Sequence, residues 1–66
     1  MVIVNGEPTQ VTDGQTILAF LTARQTPVEN IVVERNGEIV RRVDYDTTYI
    51  DPNDNLELIS FVGGGR

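Results

Sequence analysis

Two Asn-Gly pairs, Asn5-Gly6 and Asn36-Gly37, each stand between short runs rich in β-branched residues. A two-residue hairpin connection needs central residues that tolerate left-handed backbone, and Asn-Gly is its strongest short-range signal. Met1–Asn5 is too short for a helix and reads as a strand, with Glu7–Val11 returning beside it. Pro8 has no N–H to give a ladder, so this returning strand belongs at a sheet edge. Ile31–Arg35 and Glu38–Val40 form the second hairpin, with Arg35 opposite Glu38 and Val33 opposite Val40.

Between the hairpins, Thr12-Asp13-Gly14-Gln15 is turn chemistry and Thr16 is suited to cap a helix. Ile17, Leu18 and Leu21 fall on one stripe of a helix running to about Arg24, with Phe20 widening it or shielding its margin. So short a helix is not stable alone and must lean on a sheet. Gln25-Thr26-Pro27 ends it, because the residue before proline is pushed out of the helical region. After the second hairpin, Asp44–Tyr49 is irregular with room for a short strand, and Asp51-Pro52-Asn53-Asp54 suits a type I turn.

Leu56–Val62 reads as the last strand. Leu56 and Leu58 share one face, while Glu57, Ile59 and Phe61 share the other. With the single helix over the leucines, Ile59 and Phe61 point outward and make a candidate docking patch that ends at Val62. Strands with one segregated helix indicate an α+β domain of four or five strands in a mixed sheet, the helix across one face.

Composition narrows the function. A chain of 66 residues holds one small domain, and at this size only about 60% of the unfolded surface is buried, too little to enclose a large substrate pocket. Cysteine and histidine are absent, which removes thiolate chemistry, the commonest metal ligand and the commonest general base. Ser60 is the single serine and has no histidine to activate it. Ten carboxylates against five arginines leave a net charge of −5, the wrong sign for nucleic acid or an anionic membrane. Such a surface confers solubility or steers docking onto a basic partner. MVIVNG is neither a basic segment nor a long apolar one, so no signal peptide is expected. No apolar run is long enough to span a bilayer, and a cytoplasmic location follows as the expectation.

Asp44, Asp46, Asp51 and Asp54 crowd one stretch, but a calcium loop counted from Asp44 would need Gly and Glu where Tyr49 and Asn55 stand. These acids read as a solvated loop, and Arg41-Arg42 as the solvated end of a strand. Gly63-Gly64-Gly65 cannot cradle a phosphate, since no lysine or helix follows. Residues 1–62 therefore read as the domain and 63–66 as a flexible glycine-rich tail. Glycines make a chain narrow enough to thread a partner's active site, and they leave a terminal carboxylate unobstructed by any Cβ. A carboxylate reacts only after activation, and this chain carries no machinery for that step.

The blocks MVIVNGE, DGQTILAFL, VVERNGEIV and NLELISFVGGG, in that order along essentially the whole chain, resemble the ThiS-type sulfur carriers of thiamine biosynthesis. No block is specific by itself; their order, the short length and the glycines together are. The resemblance implies a ubiquitin-like β-grasp fold. It also implies a protein co-substrate rather than an enzyme. A ThiF-like adenylyltransferase would use MgATP to adenylate the carboxyl of Gly65. Sulfur from a cysteine desulfurase relay would displace AMP to leave a thiocarboxylate, and thiazole synthase would accept that sulfur. Gly63 and Gly64 would enter the partner's active site while Ile59, Phe61 and Val62 dock on its surface. The chain itself would hold no cofactor and no metal. Family members end on the glycine, and here Arg66 follows, so the implied reacting group is Gly65 after loss or absence of Arg66. The small subunit of molybdopterin synthase, a non-transferring β-grasp module and a ubiquitin-like modifier stay open beside this reading. The missing lysines exclude polymeric chains through the modifier's own side chains.

Overall fold

The computed structural model describes residues 1–61. Five strands form one mixed sheet: β1 (Val2–Val4), β2 (Glu7–Thr9), β3 (Ile31–Arg35), β4 (Glu38–Val40) and β5 (Asn55–Ser60), in the order β2-β1-β5-β3-β4. Both hairpins form where Asn-Gly requires them. Asn5 and Gly6 sit at φ 51 and 83, and Asn36 and Gly37 at φ 54 and 88, the left-handed pair of a type I′ turn. Arg35 pairs with Glu38 and Val33 with Val40, as the two-residue register demands. Pro8 lies in β2 at one edge of the sheet, where its missing N–H breaks no inner ladder.

β5 joins the hairpins. It runs parallel to β1, with Val4 beside Leu56, and antiparallel to β3, with Val33 beside Leu58. Its neighbours are thus one strand from each hairpin, and the sheet closes only when the last strand inserts between them.

One face of the sheet carries α1 (Ile17–Ala23). The Thr16 hydroxyl accepts the Ala19 N–H at 3.1 Å and caps its first turn. Ile17, Phe20 and Leu21 are the buried residues of the helix and join Val2, Val4, Ile31, Val33 and Leu56 in the core. Leu18, expected in the stripe, is 37% exposed, and Phe20 takes its place. At about 100° per residue, Ile17, Phe20 and Leu21 span one narrow arc, and Leu18 falls well outside it. A seven-residue helix on a small sheet covers only that arc. Its C-terminus is set by more than Pro27. The Thr26 N–H returns to the Leu21 carbonyl and the Gln25 N–H to Thr22, with Gln25 at φ 59 in the left-handed position.

The segment after β4 forms a 3-10 turn at Arg42–Asp44 and a lone bridge between Thr16 and Tyr49 rather than a strand. Tyr45 turns inward from it, buried, and donates its hydroxyl to the Ile31 carbonyl at 3.2 Å. Asp51 and Asp54 close the expected turn through the Asp54 N–H and Asp51 carbonyl at 3.1 Å. Asp54, however, is buried rather than solvated. Its carboxylate receives Arg35 Nε at 2.7 Å, Asn36 Nδ2 at 2.9 Å and the Asp51 N–H at 2.8 Å. Arg35 therefore turns to Asp54 and Asp51 for its ion pairs, rather than to the Glu38 opposite it.

Candidate functional site: the open face along the last strand

β5 runs as a strand to Ser60, and Val62, the expected end of the strand, lies outside the described residues. Phe61 still continues its line, because the Phe61 N–H donates to the Asn30 carbonyl at 3.0 Å. Alternation along the strand sorts its side chains. Leu56 is fully buried and Leu58 packs against the core, while Ile59 and Phe61, each 45% exposed, lie on the face without the helix. The expected outward phase of these two residues is what the structure contains.

The register enlarges that patch with residues the sequence analysis did not single out. Val32 stands directly opposite Ile59, and Ile39 stands opposite Glu34 on the neighbouring strand pair. Ile39 is largely exposed, at 67%. The hairpin register and the inward phase of Ile31 and Val33 were enough to find both. Val32 and Ile59 thus stand side by side on this face, with Phe61 beyond them and Ile39 in the next row beside Glu34.

Asn5 steadies that line from the other side. Parallel pairing of β1 with β5 ends at Val4 and Leu56, where the Asn5 N–H still reaches the Leu56 carbonyl at 2.9 Å. Beyond it the Asn5 side chain takes over. Its Oδ1 accepts the Leu58 N–H at 2.7 Å, and its Nδ2 faces the Leu58 carbonyl at 3.4 Å. One amide side chain thereby stands in for the next residue of the strand. Asn36 does similar work at the other end of β5, accepting the Asn55 N–H at 2.9 Å. Both hairpin turns thus grip the last strand through their asparagines.

The remaining site residues proposed from sequence, Val62, Gly63, Gly64 and Gly65, lie outside the described residues, as does the boundary placed at 62/63. Among the described residues there is no group of three or more acids placed to hold a metal ion. No helix among the described residues is long and apolar enough to cross a membrane. An open groove of about 480 Å³ lined by Val2, Val11, Tyr49 and Pro52 sits where β1 begins and before β5 starts, at the far end from the patch.

A β2-β1-β5-β3-β4 sheet with one helix across it is also the architecture of solved relatives. The crystal structure of the thiamine biosynthesis protein ThiS from Geobacter metallireducens superposes with a TM-score of 0.83 at 33% identity, covering 97% of each chain. The sequence profile of the ThiS family matches residues 2–65. The chain belongs to the ThiS family. Within it, the Bacillus subtilis sulfur carrier protein ThiS is 36% identical over 53 residues, 80% of each chain. A thiazole synthase from Magnetococcus marinus is 33% identical over 63 residues, 96% of this chain. The chain spans only about a fifth of that relative, 19% of its length. The likeness to ThiS structures makes the fold a β-grasp, as the resemblance implied.

Proposed function

We propose that the chain is a sulfur carrier of thiamine biosynthesis that holds its sulfur as a thiocarboxylate on Gly65. The observation that carries this reading is the family match through residues 2–65, which takes in the glycines as well as the domain. The chain is then a protein co-substrate. Without cysteine it has no thiol on which to carry sulfur, and the carboxyl group is the position left to it.

In this reading a ThiF-like adenylyltransferase brings MgATP, and a carboxylate oxygen of Gly65 attacks the α-phosphorus as pyrophosphate leaves. A persulfide sulfur from a cysteine desulfurase relay then displaces AMP from the acyl-adenylate to give an acyl disulfide, and a thiol reductant cleaves its S–S bond to leave the thiocarboxylate. The chain's own part is positional. β5 runs as a strand to Ser60 and is hydrogen-bonded through Phe61, while Ile59 and Phe61 supply exposed apolar surface at its end. Docking through that surface converts encounter of the carboxylate with ATP into an event of fixed geometry.

Thiazole synthase is the proposed acceptor. Relatives of that name, from Magnetococcus marinus and Paramagnetospirillum magneticum, contain a stretch 33% identical to this chain within a polypeptide about five times longer. A carrier-like unit joined to a protein named for the acceptor reaction supports their working together. The reading places the chain in the cytoplasm with its ATP-using partner. The test is intact mass after incubation with the adenylyltransferase, MgATP and a sulfur source. Replacement of one carboxyl oxygen by sulfur is the expected product, and an unchanged mass with every component active would refute the reading.

A further inference from the structure

Glu34 and Glu57 are directly opposed across β3 and β5, on the same open face as Ile59 and Phe61. Like charges in this position destabilise a sheet, and among the described residues neither carboxylate has an ion-pair partner. The pair occupies the two central strands of its row, flanked by Ile39 on β4. The next row along the same strands is Val32 opposite Ile59. Residues two apart on a strand share a face and lie roughly 6.5–7 Å apart. A partner that covers Val32, Ile59 and Phe61 therefore also covers, or closely borders, the two carboxylates.

Removing them from water without compensation is costly, far more so for two like charges side by side. A cation resolves both the repulsion and the desolvation. A guanidinium suits the place best, since its planar fork donates in parallel to carboxylate oxygens and it is weakly hydrated. We propose that Glu34 and Glu57 form the charged half of the docking surface and receive an arginine side chain of the adenylyltransferase, next to the apolar half formed by Val32, Ile59 and Phe61. The inference rests on the sulfur-carrier reading above and adds the chemistry of the partner's surface to it.

This assignment predicts opposite signs for stability and binding. In the full chain, Glu34→Gln together with Glu57→Gln removes the repulsion, so the thermal midpoint should stay level or rise. Affinity for the ThiF-like adenylyltransferase encoded in the same genome, measured by calorimetry at fixed salt, should fall about tenfold or more. A control pair, Asp13→Asn with Asp46→Asn, changes net charge equally at exposed positions away from this row and should bind like the wild type. Wild-type affinity in the Glu34/Glu57 variant would overturn the proposal, as would an equal loss in the control pair, which would mean steering by net charge alone. A lowered midpoint accompanying weaker binding would place the two carboxylates in the fold rather than the interface, and would overturn it too. Failure of the wild-type chain itself to bind would overturn the carrier reading and this proposal together, which distinguishes the two failures.

Discussion

Arg35 Nε donates to the Asp54 carboxylate at 2.7 Å, across a sequence separation of 19 residues, and ties the second hairpin to the turn before β5. Only 5% of the Asp54 side chain is exposed, against 29% of Arg35. Burial pushes the Asp54 carboxyl up, but the Arg35 hydrogen bond, the Asp51 backbone N–H, the Asn36 amide and the Arg35 charge outweigh it. Its pKa lies below the ordinary 3.8 as a result. A carboxyl depressed on folding stabilises the protein above its unfolded pKa and loses that contribution as pH falls through the folded value. The unfolding free energy should therefore be flat from neutral pH to about 5 as far as this group is concerned, and decline below 4. Asp54→Asn should abolish the part of that decline due to Asp54 and cost about 2–3 kcal/mol at neutral pH. Chemical denaturation of both proteins over a pH series measures it. An unchanged acid limb in the variant would remove Asp54 from the account.

The two leucines of the helix offer a sharper test of packing. Leu21 is fully buried and Leu18 is 37% exposed. Leu21→Ala should cost roughly 2–5 kcal/mol, enough to unfold much of a domain whose total stability is of the same order. Leu18→Ala should cost about 1 kcal/mol or less. Equal losses would mean that the helix is rotated about its axis from the orientation described here.

How far these relationships were legible beforehand depends on their reach along the chain. The hairpins at Asn5-Gly6 and Asn36-Gly37 are local demands on φ, and the sequence carries them openly. The alternation of Leu56, Leu58, Ile59 and Phe61 is equally local, so the outward patch could be read from period two alone. Leu18 is ambiguous by sequence, because a stripe of Ile17, Leu18 and Leu21 satisfies helical spacing as well as the observed one does. Only the extent of sheet beneath the helix decides between them. Asp54 looked solvated among other acids because its partners, Arg35 and Asn36, come from another hairpin. The parallel pairing of Val4 with Leu56 joins the two ends of the chain, and no local pattern announces it. Val32 and Ile39 could have been added to the patch by carrying the hairpin register across to β5. The roles of Gly63, Gly64 and Gly65 came from family resemblance, and they lie outside the described residues.

Phe61 separates docking from folding. Its side chain is 45% exposed on the open face, and its backbone N–H, not its ring, makes the hydrogen bond to Asn30. Phe61→Ala should leave the unfolding free energy within about 1 kcal/mol of wild type. Binding to the adenylyltransferase should weaken by about 2 kcal/mol, the loss typical of an aromatic anchor. Denaturation and calorimetry on the same preparation give both numbers. A variant that unfolds would place the ring in the core, and one that binds normally would move the docking surface elsewhere.

The chemistry itself turns on chain length. If Gly65 supplies the reacting carboxylate, the form ending at Gly65 should support exchange of pyrophosphate into ATP when mixed with the adenylyltransferase and MgATP. In the form ending at Arg66 the carboxylate is displaced by one residue, about 3.3–3.6 Å for an extended chain. In-line attack on the α-phosphorus tolerates little misplacement, and an error of about 1 Å can lower the rate on the order of 10²-fold. The Arg66 form should thus exchange at least that much more slowly, while its affinity falls far less, since the open face of β5 is unchanged. Gly64→Ala in the Gly65 form should also slow exchange, because a Cβ widens a segment that has to enter a narrow passage. Rates for the two lengths, measured side by side at saturating partner, decide the matter. Equal exchange with and without Arg66 would show that Gly65 is not the reacting terminus, whereas exchange confined to the shorter form would assign the adenylated carboxyl to Gly65.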